Sequence, residues 1–173
     1  VHGTWARHEV WPRPGSPLGL ALQAQGFTPV EFLWSGWCGG VPSAVIVPAS
    51  TDELKGSLEL WRSEGEKLAL FCQRVGLQVP HAVTHSHGLQ VLAFAASGFG
   101  GFAPPRHFGT VLSLAAPVRS DMTTIRRRAR DRIRRWVQVY DPADTTLREG
   151  EAFDGELGWR LELPEADVNL RAP

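Results

Sequence analysis

The stretch Val79-Pro-His-Ala-Val-Thr-His-Ser-His-Gly-Leu-Gln-Val-Leu-Ala-Phe-Ala-Ala96 decides how this 173-residue chain is interpreted. A short apolar strand leads into Thr84-His-Ser-His-Gly88, and an apolar segment typical of a helix follows. Small residues around a serine at such a junction allow the helix backbone to pass close to the strand. The turn then presents the serine hydroxyl beside the N–H groups that begin the helix, where an oxyanion can bind. The pattern predicts that Ser86 is a nucleophile and that the N–H of His87 is an oxyanion donor.

The same residues allow two other interpretations. Histidines spaced as His85 and His87 can bind one metal ion from a loop, and Thr-His-Ser-His is similar to the start of the T-H-x-H-x-D-H zinc motif of metallo-β-lactamase-like hydrolases. Leu89 and Gln90 stand where that motif continues with Asp-His, so the sequence lacks half of the zinc site. In the other interpretation Ser86 only caps the helix and the histidines are polar loop residues.

A second candidate segment is the beginning of the chain, Val1-His-Gly-Thr-Trp-Ala6. A glycine after the histidine allows a sharp turn, and the residue that follows it can then point its backbone N–H into a site. The segment resembles the oxyanion loop of α/β-hydrolases, and this resemblance implies that Thr4 supplies the second oxyanion donor, with Trp5 as the other candidate.

A third candidate is an acid late in the chain. Arg135-Trp-Val-Gln-Val-Tyr140 contains the β-branched and aromatic residues that strands favour, and Asp-Pro-Ala-Asp follows it directly. The pattern Tyr-x-Pro-x-Asp resembles the loop that carries the catalytic acid in α/β-hydrolases. This resemblance implies that Asp144, and secondarily Asp141, accepts a hydrogen bond from a catalytic imidazole. The alternative is an ordinary turn, because Asp before Pro is common there.

Residues 1–6, 84–88 and 140–146 together resemble the α/β-hydrolase superfamily in its compact lipase/esterase-like form. The resemblance implies an α/β fold with a mostly parallel central sheet and helices on both faces, in a three-layer sandwich. It also implies a serine hydrolase that cleaves a carboxylic ester through an acyl-enzyme on Ser86, without a metal or organic cofactor. The substrate is then a small-molecule or lipid-like ester.

The general base is not found in this sequence. The order in that superfamily is serine, acid, histidine, yet all six histidines precede Asp144. We therefore expect the base beyond Pro173, and we expect residues 1–173 to be a single domain trimmed at both ends. The alternatives are a noncatalytic binding module on the same scaffold and a base recruited from His85, His87 or His107.

Alternating strand-like and helix-like segments predict the order of the elements. Helices are predicted at residues 18–25, 50–75, the segment after the serine turn to about 97, and 121–134. Strands are predicted at residues 30–34, before the serine turn, 110–115 and 135–140, with a last short strand near 167–171. We expect the candidate groups to meet at the carboxyl ends of the strands.

The composition limits the partners. Eighteen basic and eighteen acidic residues give a formal net charge of zero, so no nucleic acid is expected as a partner. The Arg-rich segment 126–135 is interpreted as a solvated helix face rather than a phosphate-binding helix, with Ile125, Ala129, Ile133 and Trp136 as its buried stripe.

The sequence contains no apolar run of transmembrane length, and Cys38 and Cys72 are expected to be free thiols. The oligomeric state stays open. The compartment also stays open, with a slight preference for the cytoplasm and room for a signal peptide upstream.

Overall fold

The computed structural model describes residues 15–30, 32, 51–77, 79–98, 107–145, 147–148, 151 and 159–173, without the side chains of residues 51–57. These residues form four α-helices, one 3-10 turn at Ser120–Met122 and four strands. The helices are α1 Pro17–Ala24, α2 Thr51–Arg74, α3 Gly88–Ser97 and α4 Thr123–Arg130. The strands are β1 Ala82–His85, β2 Phe108–Leu114, β3 Ile133–Tyr140 and β4 Val168–Arg171.

The four strands form one parallel sheet in the order β1-β2-β3-β4, which confirms the predicted α/β class. Neighbours in the sheet are also neighbours along the chain, so every connection moves across the sheet in the same direction. Helix α3 packs between α2 and α4. The described helices α2 to α4 thus lie side by side, while the predicted three-layer arrangement stays a prediction.

The centre of one face of the sheet is fully buried. Val111 and Trp136 are paired in register on it, both with no exposed surface. Two residues further along lies a polar row of Thr84, Ser113 and Gln138, which are also fully buried. The indole Nε1 of Trp136 donates to Ser113 Oγ at 2.8 Å, which partly offsets the cost of burying that hydroxyl.

Helix α3 is buried on all sides. Residues Gly88 to Ala96 are all buried. Helix α2 approaches α3 closely, since a Cβ on Gly65 would lie 2.6 Å from Phe94 Cβ and 2.9 Å from the Val91 carbonyl oxygen. Only glycine allows the two helices to come this close.

The prediction for residues 121–134 was wrong at its end, because α4 stops at Arg130 and β3 already begins at Ile133. All four residues of the predicted stripe are buried, but Ile133 and Trp136 belong to strand β3 rather than to a helix. Apolar residues three or four apart fit both a helix and two successive elements, so spacing alone did not separate them.

The Arg-rich segment is also not uniformly solvated. Arg126 is 2% exposed, and its Nε lies 3.1 Å from Glu165 Oε2. Arg130 pairs with Asp167, whose other carboxylate oxygen accepts from the Trp136 N–H at 2.6 Å. Two arginines therefore tie α4 to the chain before β4, while Arg127 and Arg128 are exposed as predicted.

The remaining element predictions have mixed outcomes. Helices α1 and α2, strand β2 and strand β4 lie where the sequence predicts them. Val30 and Phe32 are not in a strand, and the rest of the strand predicted at 30–34 lies outside the described residues. Cys72 is a buried free thiol whose pKa burial raises to about 11, while Cys38 is outside the described residues. No helix among the described residues has the length and apolar content needed to cross a bilayer.

Candidate active site

Ser86 occupies a tight, left-handed turn between β1 and α3. Its φ is +48°, one of two positive values among the described residues other than glycine. Its N–H donates to the Leu114 carbonyl at 2.9 Å, and its carbonyl accepts from Leu89 N–H at 3.2 Å. The first bond extends the pairing of β1 with β2 by one residue, and the second belongs to the start of the helix. Ser86 thus joins strand and helix directly, and it is partly exposed.

This backbone conformation costs free energy. A residue with a Cβ loses roughly 1–2 kcal/mol in the left-handed region, because the Cβ approaches the following carbonyl oxygen. Serine has no special preference for that region, unlike glycine or asparagine. Strain held in place by regular structure on both sides is found most often at functional sites.

The neighbouring strand ends in the same way. Ala115 follows β2 with φ +45°, and its N–H donates to the Val139 carbonyl at 3.0 Å. Because His85 is paired with Leu114, Ala115 lies beside Ser86 at the same edge of the sheet. The methyl group of Ala115 is the smallest side chain that has a Cβ, so little bulk stands beside the serine on this side.

The residue at the first position of the serine motif is Thr84, where glycine is usual. Its side chain is fully buried in the polar row of the sheet, and Oγ1 has no hydrogen-bond partner among the residues that the structure describes. Threonine therefore fits at this position without entering the turn itself.

His87 is partly exposed as a residue, but its ring packs against two aromatic side chains. Its ring stacks on Trp61 with centroids 4.9 Å apart and planes 22° from parallel, and it meets Trp159 edge-on at 5.9 Å. Its Nε2 atom is inaccessible to solvent. Burial, with a smaller effect from the positive charge of Arg119, lowers the pKa of His87 to about 3, so the imidazole is neutral at physiological pH.

Arg119 completes this group of side chains. The guanidinium carbon lies 5.3 Å from the ring centre of Trp61 and 5.3 Å from that of Trp159, within cation–π range of both. Nε and Nη2 make a bidentate pair with Asp121 at 3.0 and 2.7 Å. Arg119 is only 4% exposed, so the partner carboxylate offsets the cost of burying its charge.

The candidate acids Asp141 and Asp144 follow β3 at the same edge of the sheet as Ser86. Asp141 Oδ1 accepts from Ala143 N–H at 2.8 Å, and Asp144 Oδ1 accepts from Leu147 N–H at 2.9 Å, as the cap of a short helical segment. These are the local turn contacts that the sequence left open as an alternative. Strands β1 and β3 are two strand spacings apart, roughly 10 Å, which leaves room for an imidazole between serine and acid.

The structure brings together only part of the predicted site. Ser86, His87, Asp141 and Asp144 share one edge, while Thr4 and Trp5 lie outside the described residues. The sequence analysis names none of Trp61, Arg119 and Trp159 as part of the site. Nothing local in the sequence indicates that these three side chains group with His87.

The zinc alternative gains no support from the placement of its two histidines. The His87 ring is packed against Trp61, and its Nε2 is buried. Within the described part of the chain, no three side chains of His, Cys, Asp or Glu are grouped closely enough to hold a metal ion.

Comparisons with models of known protein families, with curated proteins and with solved structures find no match for this chain. The structure and the sequence therefore carry the functional argument by themselves.

Proposed function

We propose that this protein is a serine hydrolase that cleaves a carboxylic ester through an acyl-enzyme on Ser86. The observation that carries the proposal is the strained turn at this residue, between a parallel strand and a buried helix. We expect a serine in that turn to present its hydroxyl at the start of α3, where the N–H groups of His87 and Gly88 lie. Backbone N–H groups at a helix N-terminus stabilise negative charge.

The order of elements around the turn supports the proposal. Ligands of parallel α/β sheets bind at the carboxyl ends of the strands, and Ser86 and Asp144 follow two strands at that end. Strand β4 ends at Arg171 on the same edge, and the resemblance to α/β-hydrolases would put the catalytic histidine after this strand. Asp144 is the proposed acid of that histidine.

The proposed reaction has two halves. Ser86 Oγ bonds to the ester carbonyl carbon while its proton passes to the histidine, and the negative charge on the carbonyl oxygen is held by N–H groups of His87 and Thr4. The intermediate collapses, and the alcohol leaves with the proton. Water, deprotonated by the same histidine, then attacks the acyl-enzyme and releases the acid and Ser86.

A fluorophosphonate probe tests the proposal directly, because it phosphonylates activated serines. The full-length protein is incubated with the probe, together with Ser86→Ala and the control Ser63→Ala. Ser63 is an exposed serine of α2, so its removal leaves the turn untouched. We expect labelling of the wild-type and control proteins and its complete loss in Ser86→Ala.

Turnover of p-nitrophenyl esters from acetate to octanoate then ranks the acyl chains. Full labelling of Ser86→Ala would overturn the proposal. Absence of labelling in the folded full-length protein would also overturn it and would favour the noncatalytic binding module. Activity that a chelator abolishes and zinc restores would favour the metal alternative.

A further inference from the structure

The His87 ring contacts aromatic rings from two segments that lie far apart in the sequence, and an arginine from a third segment packs against both of those rings. Trp61 comes from the middle of α2, Arg119 from the connection between β2 and α4, and Trp159 from the connection between β3 and β4. We call these three residues with His87 the imidazole clamp.

The members of the clamp are themselves fixed. Trp61 is 4% exposed and Trp159 is 7% exposed, so both indoles have little freedom to move. Arg119 is held by Asp121, and its carbonyl oxygen accepts from the buried Arg126 at 2.6 Å. A neighbour that is packed on several sides resists displacement, because moving it opens a cavity.

The chemistry of the clamp does not suit proton transfer. The low pKa of His87, about 3, keeps its ring uncharged across the physiological range. The ring stacks on the Trp61 indole and meets the Trp159 indole edge-on, so it contributes shape and contact area rather than a proton. His87 therefore acts in the clamp as a flat, uncharged side chain.

The position of His87 in the turn gives that shape a consequence. It directly follows the strained Ser86, and its own N–H lies at the start of α3. A left-handed serine persists only where the surrounding structure holds it there. Displacement of the His87 side chain would let the turn relax and move both the hydroxyl and the N–H.

We propose that His87 is a positioning residue. Its ring, packed against Trp61 and Trp159, keeps the Ser86 hydroxyl and the His87 N–H in the geometry that the reaction needs, and Arg119 holds the two indoles in place. This inference rests on the proposed function. It adds a part that the serine, the acid and the base do not supply, and it assigns a role to a side chain that otherwise only fills space.

The experiment measures kcat and KM for a p-nitrophenyl ester, and the rate of fluorophosphonate labelling, in four forms of the full-length protein. They are the wild type, His87→Ala, His87→Phe and the control His107→Ala. His107 is exposed just before β2, at the opposite end of the strand from the turn. His87→Phe keeps a flat ring in the clamp, and His87→Ala empties it.

We expect His87→Ala to lower kcat by about 10²-fold with KM changed less than twofold, because a shift of about 1 Å at the reacting atoms costs that much. We expect His87→Phe to keep kcat within about threefold of the wild type, with an unchanged pH profile of kcat/KM between pH 5 and 9. His107→Ala should behave as the wild type.

Three outcomes would overturn the inference. The first is that His87→Ala retains wild-type kcat, and the second is that His87→Phe is as slow as His87→Ala. The third is that the pH profile of His87→Phe loses an ionisation that the wild type shows. If His87→Ala does not fold, Trp159→Leu replaces it, and an unchanged kcat in that variant overturns the inference equally. A wild-type protein without labelling would instead overturn the proposed function, and the inference with it.

Discussion

Replacing Ser86 by glycine should stabilise this protein while abolishing its labelling. Both Ser86→Gly and Ser86→Ala remove the hydroxyl, so their difference reports the backbone alone. Alanine keeps a Cβ at φ +48° and with it a cost of roughly 1–2 kcal/mol, which glycine does not bear. Glycine loses more chain entropy on folding, about 0.4–1 kcal/mol. The balance favours Ser86→Gly over Ser86→Ala by about 0.5–1 kcal/mol.

The matched control is the same pair of substitutions at Ser63. This serine is exposed inside α2, where glycine is about 1 kcal/mol less favourable than alanine. The order of stability should therefore reverse between the two positions. Urea unfolding measures it, and thermal unfolding gives a second reading, since 1 kcal/mol corresponds to about 2–4 °C in a protein of this size.

The reasoning is refuted if glycine is the less stable substitution at both positions. That result would mean that the turn at Ser86 bears no strain in solution. A Ser86→Gly variant that is more stable than Ser86→Ala and is not labelled by the fluorophosphonate probe would support the reasoning. It would show that the wild-type turn is less stable than it could be because it holds the serine hydroxyl in a reactive position.

Two further predictions concern the packing around the turn. Gly65→Ala should destabilise the protein by about 1–3 kcal/mol in urea unfolding, although alanine favours helices. The reason is that the alanine Cβ would lie under 3 Å from Phe94 Cβ and from the Val91 carbonyl oxygen. A stabilised variant would contradict the observed approach of α2 and α3. Burial lowers the pKa of His87 from an ordinary 6.5 to about 3, so the unfolded chain binds this proton more readily than the folded protein does. The contribution of the buried, neutral ring to stability is therefore complete above about pH 6.5 and declines as the pH falls toward 3. The free energy of unfolding should therefore fall more between pH 7 and pH 4 in the wild type than in His87→Phe, and equal losses would show that the ring is not buried.

The serine turn could be predicted from the sequence because its causes are local. Small residues at 84–88 allow the tight bend, and the apolar run after them predicts a buried helix. The same holds for the parallel sheet, since β-branched and aromatic runs alternate with helical segments. The end of α4 was missed, because pairing of Ile133 with Phe108 in the sheet outweighs the helical spacing of the same residues.

The sequence by itself determined the strand, the bend and the helix around Ser86, since bond rotation and neighbouring side chains decide such a turn within a few residues. Only the tertiary structure decided what surrounds His87 and why Arg126 lies inside. Contacts of His87 with Trp61 and Trp159, and of Arg126 with Glu165, join segments that are distant along the chain. Their free energy comes from shared burial, which exists only once the layers have packed.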